Sequence, residues 1–220
     1  MISLTERNAY WKCAHIVSGF ERTLKETWLN DNLSICISES ERYWNIYYKL
    51  GGITTIPLNK ISSYIVQKGQ DPSGVEDGIL LQSWGEQIQR TTIFTMYRPC
   101  KSPIETVGWS TIIKQQWLLL KEKNRHEYPN LAAIRHTIET IKGKQKDGYK
   151  IIIVLDQNEV FTYSTGGIIR LCHECQLYNP FSHRYGDQFD SKFHIRGQHR
   201  IDEMFCSYNI LTSIEAYGPT

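Results

Sequence analysis

No stretch of this 220-residue chain approaches eighteen consecutive apolar residues, so nothing in it reads as a membrane-spanning helix. Its opening, MISLTERNAYW, has neither the basic leader nor the hydrophobic core of a secretory signal. Charge of one sign is missing too. Lys plus Arg number 25 against 23 Asp plus Glu, a net charge of +2, so no overall field marks nucleic acid or a membrane as partner and any basic footprint must be local. The six cysteines lack the close, regular spacing of a secreted disulfide scaffold, which a chain of this length does not need. These exclusions leave a soluble protein of a reducing intracellular compartment, cytoplasmic or nuclear. With 40% apolar residues and no internal repeat, low-complexity tract or linker, residues 1–220 read as one domain with a sizeable core.

Two segments carry helical periodicity. Ile16, Phe20, Leu24 and Trp28 recur every four residues, which suits an amphipathic helix packed on a sheet. Leu131, Ile134, Ile138 and Ile141 do the same after Pro129 and before GKQKDG. KLGGITTIPLNKISSYIVQKG reads as short strands punctuated by Gly51, Gly52, Pro57 and Asn59, with a turn at DPSG beyond. TTIFTMYRP is a strand stopped by Pro99. The β-branched run of YKIIIVLD suits a strand covered on both faces, as in a layered α/β protein. IIRLCHECQL reads as a helix after Gly166 and Gly167, and FHIRGQHRIDEMFCSYNIL as a turn between two strands. MISL has the look of a strand at the very start, while SIEAYGPT closes without a terminating signal.

The strand YKIIIVLD delivers Asp156 and, two positions on, Asn158. Strand side chains alternate, so both point one way, and in α/β sheets ligands collect beyond the carboxyl ends of strands. An Asp and an Asn there can receive an attacking water and a phosphate oxygen; the plainer alternative is a polar turn whose Asx side chains bond their own backbone. Cys172 and Cys175 have half of a zinc spacing, without a second pair. The basic segment KGKQKDGYK reads as a solvated helix end, whereas Arg196, His199 and Arg200 are candidates for phosphate contact. Aromatic residues, 12% of the chain, are not interleaved with those charges as a stacking platform.

Taken in order, LTERN, LGGITTI, DPSG, YRPC, KQQWLLL, VLDQNE and IRGQHRIDEMFCS span nearly the whole chain. In that set and order the sequence resembles the endonuclease/exonuclease/phosphatase superfamily, and within it the retroelement-associated endonucleases. The resemblance implies a four-layer α/β sandwich of two mostly antiparallel sheets flanked by helices, incomplete at both termini. It implies Mg²⁺- or Mn²⁺-dependent phosphodiester hydrolysis on DNA, supplying the nick from which a reverse transcriptase in a longer parent polyprotein primes.

By the same resemblance Glu6 is the metal carboxylate, a hard oxygen ligand. Glu39 and Glu41 in SESERYW mimic its pattern but lack the following helix. Tyr97 approaches the scissile phosphate, Asp156 orients the attacking water, Asn158 holds a phosphate oxygen and Asp202 orients a histidine base. That histidine belongs to a Ser-Asp-His segment expected beyond Thr220, and the family's first-strand asparagine is expected before Met1; His173, His183, His194 and His199 match neither. Departures from the pattern are DPSGVEDG at the Asp-Pro-Ser-Gly turn and Glu203 where the family has an aromatic. Two expectations follow: Glu6 and Asp156 meet in one cleft, and Asp202 lies beside Asp156. With no histidine beside Asp202, the resemblance implies an enzyme impaired in this chain; the rival expectation is a non-enzymatic, nuclease-derived remnant that at most binds nucleic acid or metal weakly.

Overall fold

The computed structural model describes residues 2–4, 14–28, 34–38, 53–70, 77–83, 90–98, 104–108, 111–156, 167–186 and 202–213. They form a mixed α/β fold of two sheets with flanking helices. Strands β1 (Ile2–Leu4), β2 (Cys36–Ser38) and β3 (Ile53–Ile56) make a small antiparallel sheet in the order β1-β3-β2. The large sheet takes β4 (Ile65–Gln70), β5 (Asp77–Ser83), β6 (Thr91–Tyr97), β7 (Lys150–Asp156), β8 (Leu177–Tyr178) and β9 (Asp202–Ser207), in the order β4-β5-β6-β7-β9-β8. Among the described strands of this sheet only β6 and β7 run parallel. Parallel neighbours cannot be joined by a tight turn. Helices α3 (Ile112–Glu122) and α4 (Pro129–Lys146) make the crossover, while α1 (Ala14–Thr27) and α2 (Asn59–Tyr64) precede it.

The strand β7 shows why its sequence is apolar throughout. Ile151, Ile153 and Leu155 point to one face and pack with Phe94, Met96 and Phe205 beneath Ile134, Ile138 and Ile141 of α4 and Ile168 and Leu171 of α5 (Ile168–Cys175). Ile152 points the other way. There Leu81, Ile93 and Tyr97 of the large sheet pack on Cys36 and Ile53 of the small one. The two sheets are also joined by a buried polar contact, Thr55 Oγ1 donating to Thr95 Oγ1 at 2.9 Å.

Pro129 sits in the first turn of α4, where its missing N–H costs nothing. Past the helix, Gly148 adopts φ 82°, a left-handed conformation that lets the chain turn into β7 within two residues. Of the residues that define the helical period of α4, Leu131 departs: it is 53% exposed, while Ile134, Ile138 and Ile141 are buried. Asn130 and Ala132 on either side of it are buried, Ala132 packing on Leu120 of α3, so the first turn is covered on another side. A second correction concerns NKISSY, expected as strand: it forms α2, one short helix inserted between β3 and β4. Two further helices, α6 (Pro180–Tyr185) and α7 (Tyr208–Leu211), flank β8 and β9, so SYNIL continues as helix rather than strand.

Candidate active site

The C-terminal ends of β6 and β7 lie side by side, because the two strands are parallel and in register from Thr91↔Lys150 to Tyr97↔Asp156. The antiparallel strands on either side begin at that same end. Asp77 of β5 stands opposite Tyr97, and Asp202 of β9 stands opposite Asp156. One row across four adjacent strands therefore reads Asp77, Tyr97, Asp156, Asp202. Tyr97 belongs to the face that meets the small sheet and is 5% exposed. Asp156 falls on that face too, two places on from Val154 and four from Ile152, and its carboxylate is half-buried with Oδ1 shut off from solvent.

The end of the parallel pair is fastened by one further backbone bond. The N–H of Arg98 donates to the carbonyl of Asp156 at 2.9 Å, prolonging the β6–β7 ladder past Tyr97. The Arg98 side chain is itself buried, with Nε and Nη1 away from solvent. Buried charge of this kind is tolerated only with compensation nearby. Arg98 and Asp77 are the residues that reading the sequence missed as site candidates. YRP and VEDG stand in plain view, but nothing local in them tells that β5 and β6 put Asp77 level with Tyr97.

Of the expected site residues, the row thus brings Tyr97, Asp156 and Asp202 onto adjacent strands. Glu6 and Asn158 lie outside the described residues, as do Glu39, Glu41, His194 and His199, so the expected meeting of Glu6 with Asp156 is neither seen nor contradicted. Two carboxylates directly opposite each other on antiparallel strands repel. Aspartate is also a poor strand former.

The cysteines lie elsewhere. Cys172 and Cys175 sit within α5; burial, with neighbouring Cys175 and Glu203, pushes the Cys172 thiol up to about 12, and burial pushes Cys175 up to about 11. Protonated thiols of that kind are poor metal ligands. Among the described residues no group of three or more His, Cys, Asp or Glu is placed to hold a metal ion, so a described zinc site is absent. Among these residues, too, no helix is long and apolar enough to cross a membrane.

Glu203, the departure noted in RIDE, points to the opposite face from the row, towards α5 and α6. Its Oε2 accepts from Asn179 Nδ2 at 2.7 Å, while Asn179 Oδ1 accepts from the N–H groups of Phe181 and Ser182 at 2.9 and 3.1 Å. The amide thus caps α6 and ties it to β9, one residue from Asp202. The buried carboxylate is accommodated by that bond.

No family model matches the chain, and no curated protein matches its sequence. Solved structures do resemble it in fold. The human Nocturnin catalytic domain with a bound sulfate anion is 11% identical, over 94% of this chain and 68% of that one, at TM-score 0.49. D. rerio TDP2 in complex with a single strand DNA product is 11% identical, over 93% and 69%, at TM-score 0.49. An endonuclease/exonuclease/phosphatase family protein from Leptotrichia buccalis C-1013-b is 11% identical, over 93% and 72%, at TM-score 0.49. A humanized D. rerio TDP2 is matched over only 66% of its length. These are likenesses of fold, and the chemistry has to be argued from this chain's own residues.

Proposed function

We propose that this domain is a divalent-metal-dependent phosphodiester hydrolase acting on DNA, of the retroelement-associated endonuclease type. The observation that carries the reading is the row Tyr97, Asp156, Asp202 on adjacent strands at one sheet end, each residue lying in a segment that resembles the family's motifs. In this reading Asp156 accepts a hydrogen bond from the attacking water and holds it in line with the scissile bond. Asn158 donates its amide to a non-bridging phosphate oxygen, and the Tyr97 hydroxyl donates to another. Asp202 acts as a positioning residue, accepting the ring N–H of a histidine base. Glu6 would hold Mg²⁺ or Mn²⁺, which would supply neutralisation of charge on the phosphate. DNA is the proposed substrate, and a reverse transcriptase domain within a longer polyprotein is the proposed partner.

The test is nicking of supercoiled plasmid with and without Mg²⁺, by the wild-type chain, by the chain extended through its natural downstream sequence, and by Asp156→Ala in each. Loss of a positioned general acid–base group costs about 10²–10⁴-fold in rate. Nicking that requires the metal and falls by that factor in Asp156→Ala supports the reading. Failure of both wild-type forms to nick under any divalent metal refutes it and leaves the non-enzymatic remnant.

A further inference from the structure

The chain passes from β8 to α6 at Asn179, and there the ladder along the outer side of β9 ends. Leu177 and Tyr178 pair with Ser207 and Cys206, the two residues of β9 farthest from Asp202. Pro180 follows Asn179 and has no N–H to carry that pairing on towards the row. Among the described residues no strand therefore lies along residues 202–205 on the side away from β7. On the β7 side Asp202 stands opposite Asp156, and carboxylates in that relation repel. The start of β9 has the least backbone support of the strand and an electrostatic reason to leave its neighbour.

One side-chain bond stands where the ladder stops. Glu203 is the residue after Asp202, is 8% exposed, and shares a face with Phe205 because strand side chains alternate. Asn179 Nδ2 donates to Glu203 Oε2 at 2.7 Å, the short length typical of a bond to a carboxylate. The other end of the same amide is fixed, since Asn179 Oδ1 accepts from the N–H groups of Phe181 and Ser182 at 2.9 and 3.1 Å. An amide clamped by two backbone donors cannot follow Glu203 outwards. Its hold passes through one residue of backbone to Asp202.

We infer that Asn179 is a positioning residue: acting through Glu203, it keeps the start of β9 on β7 and Asp202 level with Asp156. Its consequence for catalysis rests on the nuclease reading above, whereas its hold on β9 is measurable without that reading.

Asn179→Asp separates the two tasks of the amide. The introduced carboxylate can still cap α6, because aspartate caps as well as asparagine, but it has no donor for Glu203 and sets one carboxylate against another. Adding Glu203→Gln restores the bond with donor and acceptor exchanged. In hydrogen–deuterium exchange read by mass spectrometry, Asn179→Asp is expected to speed exchange of residues 202–206 about tenfold to a hundredfold, the worth of a hydrogen bond to a charged group. Exchange of β6 is expected to stay as in wild type, and the double variant to return towards the wild-type rate at 202–206. Asn179→Ser caps without reaching Glu203 and gives the same reading should Asn179→Asp fail to fold. In plasmid nicking, kcat is expected to fall about tenfold to a hundredfold in Asn179→Asp with KM unchanged, and to recover in the double variant. Exchange at 202–206 that ignores both changes at Asn179, or that stays fast in the double variant, overturns the inference. Equal quickening of β6 overturns it too, as a general loss of stability, and so does an unchanged kcat in a variant whose β9 has loosened. If no form of the chain nicks, the nuclease reading alone falls, and exchange still decides whether Asn179 holds Asp202 in place.

Discussion

Replacing Thr95 by valine keeps the shape of the side chain and removes one hydroxyl from the contact between the two sheets. Thr55 and Thr95 are 0% and 1% exposed, and the 2.9 Å bond between their hydroxyls is the polar link from β3 to β6. In Thr95→Val the Thr55 hydroxyl loses its acceptor in a site water does not reach, and a buried polar group left in that state costs about 1–3 kcal/mol. Thr55→Val strands the other partner at a similar cost. The double variant strands neither, and two methyl groups replace two hydroxyls of nearly equal volume, so its stability should lie within about 0.5 kcal/mol of wild type. The pair should therefore couple by about 2–3 kcal/mol, near the upper end for contacting residues. Urea unfolding of the four proteins measures this directly, and about 2 kcal/mol corresponds to a fall of roughly 4–8 °C in Tm for a chain of this size. Purely additive effects, or single variants as stable as wild type, would refute the claim that this bond sits dry between the sheets. Thr95 precedes Tyr97 by two places on the same face. If the site reading holds, the single variants should also nick DNA more slowly than the double.

Thr92→Val should stabilise the protein by about 1 kcal/mol in the same assay, because Thr92 is fully buried under α4 and its Oγ1 has no hydrogen-bond partner; a loss of stability would mean that the hydroxyl is satisfied in solution. On the helical face, Lys142 Nζ and Arg170 Nε reach Glu174 at 2.5 and 2.7 Å and hold its carboxyl down to about 2 from an ordinary 4.5. A lowered folded value stabilises above the ordinary one and loses that effect as pH falls through the window from 4.5 to about 2. The stability gap between wild type and Glu174→Gln should accordingly narrow over that range, and a gap independent of pH would contradict the ion pairs. Burial raises the thiols of Cys172, Cys175 and Cys206 to about 12, about 11 and about 11, so all three should alkylate far more slowly at pH 8 in the native protein than in urea. Equal native and denatured rates, read by mass spectrometry, would show that the α5 and β9 packing opens freely.

Local pattern was enough to locate α1, the later turns of α4, β6, β7 and α5, because periodicity and breakers act within a few residues. The α4 helix needed only Ile134, Ile138 and Ile141 at helical spacing, with Pro129 at its start. Pattern failed where context decides: Leu131 obeys the same spacing yet faces solvent, since its neighbour Ala132 is the residue of that turn that packs on Leu120 of α3. NKISSY is too short and too evenly mixed for its period to separate strand from helix, and α2 buries none of its residues. The site divides the same way. Asp156 could be singled out from the strand that delivers it, whereas its standing opposite Asp202, 46 residues later, and beside Tyr97, 59 residues earlier, is a matter of register. Register is set by the sum of contacts between distant strands, and a slip of one residue would send each side chain to the other face. The Tyr178 and Tyr208 rings likewise meet because β8 pairs with β9. Sequence by itself fixes which way residues alternate along each strand; tertiary pairing alone decides which of them become neighbours.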